Sequence, residues 1–489
     1  MTKLEELGLT LGDLDLGGID AESDYRLAEY FVQTPYVSHA LQGRRNQFIG
    51  RKGSGKSALF LQLPDLARRR DPNLLVVKLT PDQYSWAALR DYSEQGLGSV
   101  HAHTNAWRFT LTLEAVGALV DLEQNWSREA KDAIRTLKKF LSDNFGTLWP
   151  GLTTTATKFI KGVTDFNLEA FGFAAGLSRS PYTAQPLTPA LLDKLIELLG
   201  VVTKERGIIL ALDKLDDSWD GSTESHSLLI GLLKAAKYMN DTLGPRNEQS
   251  GLRVNVFIRT DIYSLLGFIE KDKHRPLEIE LTWTEDLLRQ MMNERLPAQL
   301  DIDDIFESGE MRGVKSAFSY IVKRTFLRPR EVLQFVDEAQ NQAGEDAVII
   351  TKEDVRTAEE RYSQWKVEDL TQEFMGGFPD FGRLLECLRQ QLHRYDSVDD
   401  LEALLRRQDP TLVDRYGARS LAEKLFDCSV IGIRPGDSGS TRFVADSPTL
   451  TLPRTGKVYV HQGLHKGLMI REARKPSELG ARDGAPDDE

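Results

Sequence analysis

Phe48-Ile49-Gly50-Arg51-Lys52-Gly53-Ser54-Gly55-Lys56-Ser57-Ala58-Leu59-Phe60-Leu61 decides the fold. Phe48 and Ile49 close a short apolar strand, and the run after Ser57 reads as the first turns of a helix. Between them lies the GxxxxGK[ST] spacing of a phosphate-cradling loop. Its glycines let the backbone curl until successive N–H groups face an anion. The N-terminus of the following helix adds partial positive charge at the same point. Gly50, Lys52, Gly53, Ser54, Gly55, Lys56, Ser57 and Ala58 are therefore the expected phosphate binders. Lys56 would reach the β- and γ-phosphates, and the Ser57 hydroxyl would ligate Mg²⁺.

Downstream, Leu74–Leu79 is a short, nearly all-apolar strand, as expected where both faces are covered. Pro64 is expected to kink or end the helix before it. Gly207–Asp213 is a second buried strand that stops on a carboxylate, so Asp213 is the expected Mg²⁺ partner of Ser57. Thr188-Pro189 starts the helix that feeds it. Arg253–Ile258 runs into Arg259-Thr260-Asp261, and Leu277–Leu281 alternates like a partly exposed last strand. Five strands alternating with helices imply an α/β fold, a parallel sheet whose ligands sit at the C-terminal strand ends. Gly50–Ser57, Asp213 and Arg259 all fall at such ends.

Residues 83–187 read as a partly helical insertion on the sheet's edge, with Ile134, Leu137, Phe140, Leu141 and Phe145 at helical spacing. Tyr30, Phe31 and Tyr36, upstream of the loop, suit either a wall for a nucleotide base or plain core. The expected domains are a flexible leader over 1–20, the ATPase core over 21–283 and a helical lid over 284–376. A winged-helix-like module over 377–473 and a disordered tail over 474–489 complete the chain. Lid helices are expected near 284–296, 312–325, 329–343 and 351–373. In the module, helices near 380–394, 397–407 and 420–430 precede strand-like stretches at Arg442–Ala445 and Lys457–His461.

The 489 residues carry a net charge of −12, which excludes an overall basic nucleic-acid binder. Cys387 and Cys428 lie far apart among apolar residues and read as buried reduced thiols. No apolar run approaches the roughly 18 residues that span a bilayer, and the N-terminus lacks a signal pattern. A cytoplasmic protein without membrane partners is the expectation.

These residues together resemble the additional-strand, catalytic-glutamate (ASCE) P-loop ATPases close to the AAA+/STAND group. More narrowly, Phe48–Ser57, Phe257-Ile258-Arg259-Thr260-Asp261-Ile262, Leu281-Thr282-Trp283 and Arg328-Pro329-Arg330-Glu331 are similar to a family of bacterial P-loop ATPases with a cyanobacterial prototype. The resemblance implies that Arg259 or Thr260 senses the γ-phosphate and that Arg328 or Arg330 reaches the phosphates from the lid. It also implies a homo-oligomer or a partner protein, since such ATPases commonly receive an arginine from a neighbour. One position departs from the pattern. The residue after Asp213 is Lys214, where a glutamate would polarise the attacking water. Asp216 or Asp217 then takes that role with slow turnover, or ATP serves as a conformational switch. A regulatory or signalling ATPase, of the kind linked to bacterial conflict and phage defence, is the leading expectation. A DNA-handling ATPase of the replication-initiator kind ranks second, resting on Arg434, Arg442, Arg454, Lys457, His461, His465 and Lys466 near the wing.

Overall fold

Five parallel strands, β1 (Gln47–Gly50), β2 (Leu75–Leu79), β3 (Ile208–Leu212), β4 (Leu252–Arg259) and β5 (Glu278–Glu280), form a sheet in the order β2-β3-β4-β1-β5. The computed structural model describes residues 1–81, 100–152, 154–155, 189–217, 219–245, 250–434 and 440–472. The Thr188 cap and the 474–489 tail lie outside these residues, as do positions 83–99, 153 and 156–187 of the expected insertion. The chain packs as two units, Asp20–Leu281 and Met1–Ile19 with Thr282–Glu489.

In the first unit the alternation of side chains along β3 explains the layers. Ile208, Leu210 and Leu212 join one apolar core, and Ile209 and Ala211 join the other. All five residues are fully buried, so a strand of nothing but apolar residues is what this position requires. Helices Pro35–Gln42 and Lys56–Arg70 cover one face. Helices Val100–Val120, Arg128–Phe145, Pro189–Thr203 and Thr223–Leu243 cover the other.

Two expectations are corrected here. The first described helix of the insertion, Val100–Val120, lies not on the sheet's edge but in the covering layer, with Trp107 fully buried and its Nε1–H donating to the Leu228 carbonyl at 3.1 Å. Of the kink or end expected at Pro64, the end does not occur: the helix after the phosphate loop runs to Arg70 with Pro64 inside it, held by buried Leu63, Leu66 and Ala67 on its core side.

The second unit begins with the expected flexible leader, which is instead folded. Thr2 and Glu5 make a reciprocal capping box on helix Lys3–Leu7, and Leu4 and Leu11 are fully buried. The Leu11 and Gly12 N–H groups donate to the carbonyls of Ala347 at 2.7 Å and Glu345 at 2.9 Å. Leucines that reach a core and a backbone with bonded N–H groups leave no reason for disorder.

Helices Glu285–Asn293, Pro329–Ala343 and Lys352–Met375 occupy their expected places, while the one expected over 312–325 shortens to Ala317–Val322 behind its Ser316 cap. Beyond them come helix Phe381–Glu386, β6 (Arg394–Tyr395), helices Val398–Gln408, Pro410–Tyr416 and Ala418–Asp427, β7 (Ile431–Ile433) and β8 (Val458–Val460). The three strands form an antiparallel sheet ordered β6-β8-β7. The strand expected at Arg442–Ala445 reduces to one bridge between Arg442 and Ile433.

No packing boundary follows residue 376. Phe326, Leu370 and Phe374 share one core with Phe381, Leu384 and Val458. Ser363 Oγ donates to the Gly463 carbonyl at 2.7 Å and accepts from the Gly467 N–H at 2.8 Å. The expected lid and terminal module are therefore one packed body. Both cysteines are free and buried. Among the described residues no helix is long and apolar enough to cross a membrane.

Candidate nucleotide site

β4 lies between β1 and β3, which places three strand ends side by side. Gly50, the last residue of β1, is in register with Arg259, the last residue of β4. Asp213 follows β3 directly, and its N–H donates to the Leu79 carbonyl at 3.1 Å. The phosphate loop, Asp213 and Arg259, distant in sequence, therefore meet along one edge of the sheet, where α/β folds bind ligands.

The loop itself is shaped by glycine. Gly53 and Gly55 have φ of 77° and 91°, a region that side chains avoid. A Cβ on Gly50 would collide with Ser54 Oγ and sit 3.3 Å from Lys56 Cγ. The backbone cradle is thus open only because no side chain fills it. Lys56 is 9% exposed, and its ammonium donates to the carbonyls of Gly50 at 2.8 Å and Arg51 at 3.0 Å. Its charge is held inside the curl of the loop. Lys52 and Gly53 are half-buried, and Ser57 and Ala58 lie in the first turn of helix Lys56–Arg70.

Asp213 is 3% exposed. Burial pushes its carboxyl above the ordinary aspartate range, against the opposing pull of the Lys214 N–H, the Lys56 charge and the neighbouring Ser57 hydroxyl. Its Oδ2 is buried with no hydrogen-bond partner. A carboxylate oxygen in that condition is costly unless a cation faces it. Beside it the Ser57 hydroxyl supplies a second hard oxygen. This pair fits Mg²⁺, which takes one or two protein oxygens and completes its shell with phosphate and water.

The remaining charges form a chain of contacts. Arg259 grips Asp261 with two bonds, Nε to Oδ1 at 3.0 Å and Nη2 to Oδ2 at 2.8 Å. Its Nη1 donates to Asp216 Oδ2 at 3.1 Å. The neighbouring Thr260 Oγ1 is buried without a partner. Lys214 adopts a left-handed φ of 60°, and its ammonium lies 3.9 Å from Glu22. Glu22 also acts on Asp217, whose carboxyl is raised by partial burial and then by the charge of Asp216. Glu22 is a residue that sequence reasoning did not single out, since an acid in a polar turn carries no motif.

Elsewhere the candidates are differently employed. Tyr30 is 3% exposed with its hydroxyl bonded to Asp24, and Phe31 and Tyr36 pack against the core that covers the sheet. Arg328 caps helix Pro329–Ala343 from inside the second unit, 2.8 Å from Glu373 and 3.3 Å from Glu331. Lys366 pairs with Glu331, and Arg324 with Glu359 at 2.7 Å. Burial alone would raise the Glu331 carboxyl, but Lys366 and Arg328 hold it below its ordinary range. Arg328, expected on the phosphates, is thus committed to a buried ionic cluster; Arg330 beside it is half-buried.

Near the wing, His461 is 4% exposed between the rings of Phe326 and Phe443, at centroid distances of 4.3 and 4.5 Å. His465 bonds the Val460 carbonyl at 3.1 Å, and Lys466 pairs with Glu360 at 3.1 Å. Three of the seven basic groups expected to form a DNA-facing cluster are thereby turned inward or neutralised.

The sheet order and loop establish an α/β P-loop core, followed in the chain by a helical region. Residues 285–371 match the FunZ-associated C-terminal helical domain. The chain is 22% identical over 507 aligned positions to the 80.3 kDa protein ascribed to transposon gamma-delta of Escherichia coli (strain K12), covering 97% of this chain and 70% of that one. Among solved structures it is similar to the Aeropyrum pernix ORC2 protein in its ADPNP and ADP complexes. That likeness has 11% identity and a TM-score of 0.35, covers 84% of this chain and 91% of the other, and adds nothing to what the strand order establishes.

Proposed function

We propose that the chain binds ATP with Mg²⁺ at Gly50–Ser57 and hydrolyses it slowly, using the nucleotide as a regulatory or signalling switch. The observation that carries this is the Ser57–Asp213 pair with its partnerless buried oxygen. Ser57 and Asp213 would hold the metal, which neutralises phosphate charge when bound. Lys56 would leave the Gly50 and Arg51 carbonyls to take the β- and γ-phosphates, and the loop N–H groups would wrap the oxygens. Thr260 is the better γ-phosphate sensor of the two expected, because Arg259 is occupied by two carboxylates. Arg330 remains the lid residue proposed for the phosphates. Slow turnover fits Lys214, a cation in the position where a water-polarising acid would stand.

The narrower family assignment, the homo-oligomer or partner protein, and the setting in bacterial conflict rest on the sequence resemblance. A mobile-element origin in the name of the similar E. coli protein suits that setting. The order of helices and strands over 381–460 suits a winged-helix module, which we read as a protein-docking unit. The replication-initiator alternative is weakened by the inward histidines and by Arg419, which bonds Glu423 at 3.0 Å on the helix before β7.

The test is phosphate release by wild type and Lys56→Ala, with and without duplex DNA and across protein concentrations. A Lys56-dependent rate indifferent to DNA supports the switch. Stimulation by DNA would transfer the argument to the alternative, and a chain that ignores ATP·Mg²⁺ in calorimetry would end both.

A further inference from the structure

Two carboxylates, Asp216 and Asp217, follow Asp213 closely enough to stand in for the missing glutamate, and their surroundings separate them. Lys214 turns the chain back through its left-handed φ of 60°, a conformation that costs a non-glycine residue about 1 kcal/mol. Leu215, 2% exposed, then plugs into the core that covers the sheet. This anchored reversal aims Asp216 back along the strand ends. Its charge acts on Asp213, and Arg259, in register with Gly50, holds its Oδ2 at 3.1 Å. Asp217 is exposed, bonds none of the strand-end arginines among the described residues, and besides Asp216 the charges acting on it are those of Lys214 and Glu22.

We infer that Asp216 is the catalytic carboxylate that orients and deprotonates the attacking water, and that Arg259 is a positioning residue that fixes it. This rests on the ATPase reading above. Arg259 is well suited to the task because Asp261 holds its guanidinium by two bonds, leaving one arm for Asp216 Oδ2 and the other carboxylate oxygen for water. In the step, the water oxygen bonds to the γ-phosphorus as the bond from that phosphorus to the β–γ bridging oxygen breaks. The bridging oxygen leaves on ADP with the electron pair, and the water proton passes to Asp216 and then to solvent. No further reactant is needed.

The experiment uses the full chain with Asp216→Asn, Asp216→Glu, Asp217→Asn and Arg259→Ala. Asp216→Asn is expected to slow phosphate release by about 100-fold or more, the usual size of a lost general base. Asp216→Glu keeps part of the rate, and Asp217→Asn loses less than tenfold. Arg259→Ala slows release but adds nothing to Asp216→Asn in the double variant, as expected of groups acting as one unit. Calorimetry gives a readout independent of turnover. A carboxylate beside the γ-phosphate repels it, so Asp216→Asn should tighten a non-hydrolysable ATP analogue relative to ADP by about threefold or more. Asp217→Asn should leave that ratio alone. The inference is overturned if Asp217→Asn gives the larger loss, or if Asp216→Asn leaves the analogue-to-ADP ratio unchanged. Loss of all nucleotide binding by the wild type would overturn the ATPase reading itself, a different and separable result.

Discussion

Arg328 and Glu373 meet at 2.8 Å with 5% and 2% of their side chains exposed. An arginine beside a helix start, read from sequence as a lid residue for phosphate, is a structural charge of the helical unit. Glu331 and Lys366 complete its surroundings. Removing Arg328 takes from two buried carboxylates a cation that they share. Arg328→Ala is therefore expected to lower stability by about 3–5 kcal/mol, read as an earlier urea transition.

Its neighbour separates the two roles. Under the lid role proposed for it, Arg330→Ala should weaken ATP binding about tenfold, the effect of one lost charge-assisted bond, and, because Arg330 is only half-buried, it should lower the urea midpoint less than Arg328→Ala does. Calorimetry beside the denaturation curve checks both halves. A stability loss matching that of Arg328→Ala would place Arg330 in the same buried cluster and remove it from the site.

Lys56→Ala should weaken ATP·Mg²⁺ by about 10- to 100-fold, as expected when a cation bonded to phosphate is removed. It also deletes the two bonds that the ammonium makes to Gly50 and Arg51. The variant's thermal midpoint without nucleotide should therefore fall slightly, while the upward shift that ATP gives the wild type disappears.

Acid should destabilise the first unit through His274. Its ring is 2% exposed, its Nδ1 lies 2.7 Å from Gln47 Nε2, and burial, helped by the charges of Lys237 and Lys234, holds it at about 4 instead of 6.5. The folded form takes up the proton less readily than the unfolded chain. Its contribution is thus complete above pH 6.5 and is lost as pH falls from 6.5 through about 4. The loss amounts to at most about 3 kcal/mol. Thermal midpoints from pH 7.5 to 4.5 should drop, and His274→Gln should flatten part of that slope. His461, held far below its usual value by burial, gives the second unit a slope of the same sign.

The α/β core with its phosphate-type loop was legible because its signals are local. A phosphate loop, strands of unbroken apolar residues and carboxylates at their ends need no partner to be recognised. Helix Val100–Val120 was not, because it is buried nearly all round and shows no stripe. The folded leader carried a readable sign in Thr2 and Glu5, a capping-box spacing masked by the glycines and aspartates after it. The fate of Arg328 was out of reach. Glu373 is remote in sequence, and nothing in Arg-Pro-Arg-Glu distinguishes a buried ion pair from a ligand contact.

Gly463 and Gly467 carry a consequence for how this gene can change. A methyl group on Gly463 would strike the Arg324 carbonyl oxygen, and one on Gly467 the Ser363 carbonyl oxygen. The segment that follows β8 is thus seated by two bare α-carbons against backbone encoded more than a hundred codons upstream. Such a tail cannot be traded as a cassette. A recombinant that acquires a foreign terminus must inherit these partners with it, and because residues 1–19 pack in the same unit as 282–489, an exchange near codons 281–282 must carry the matching start of the chain as well.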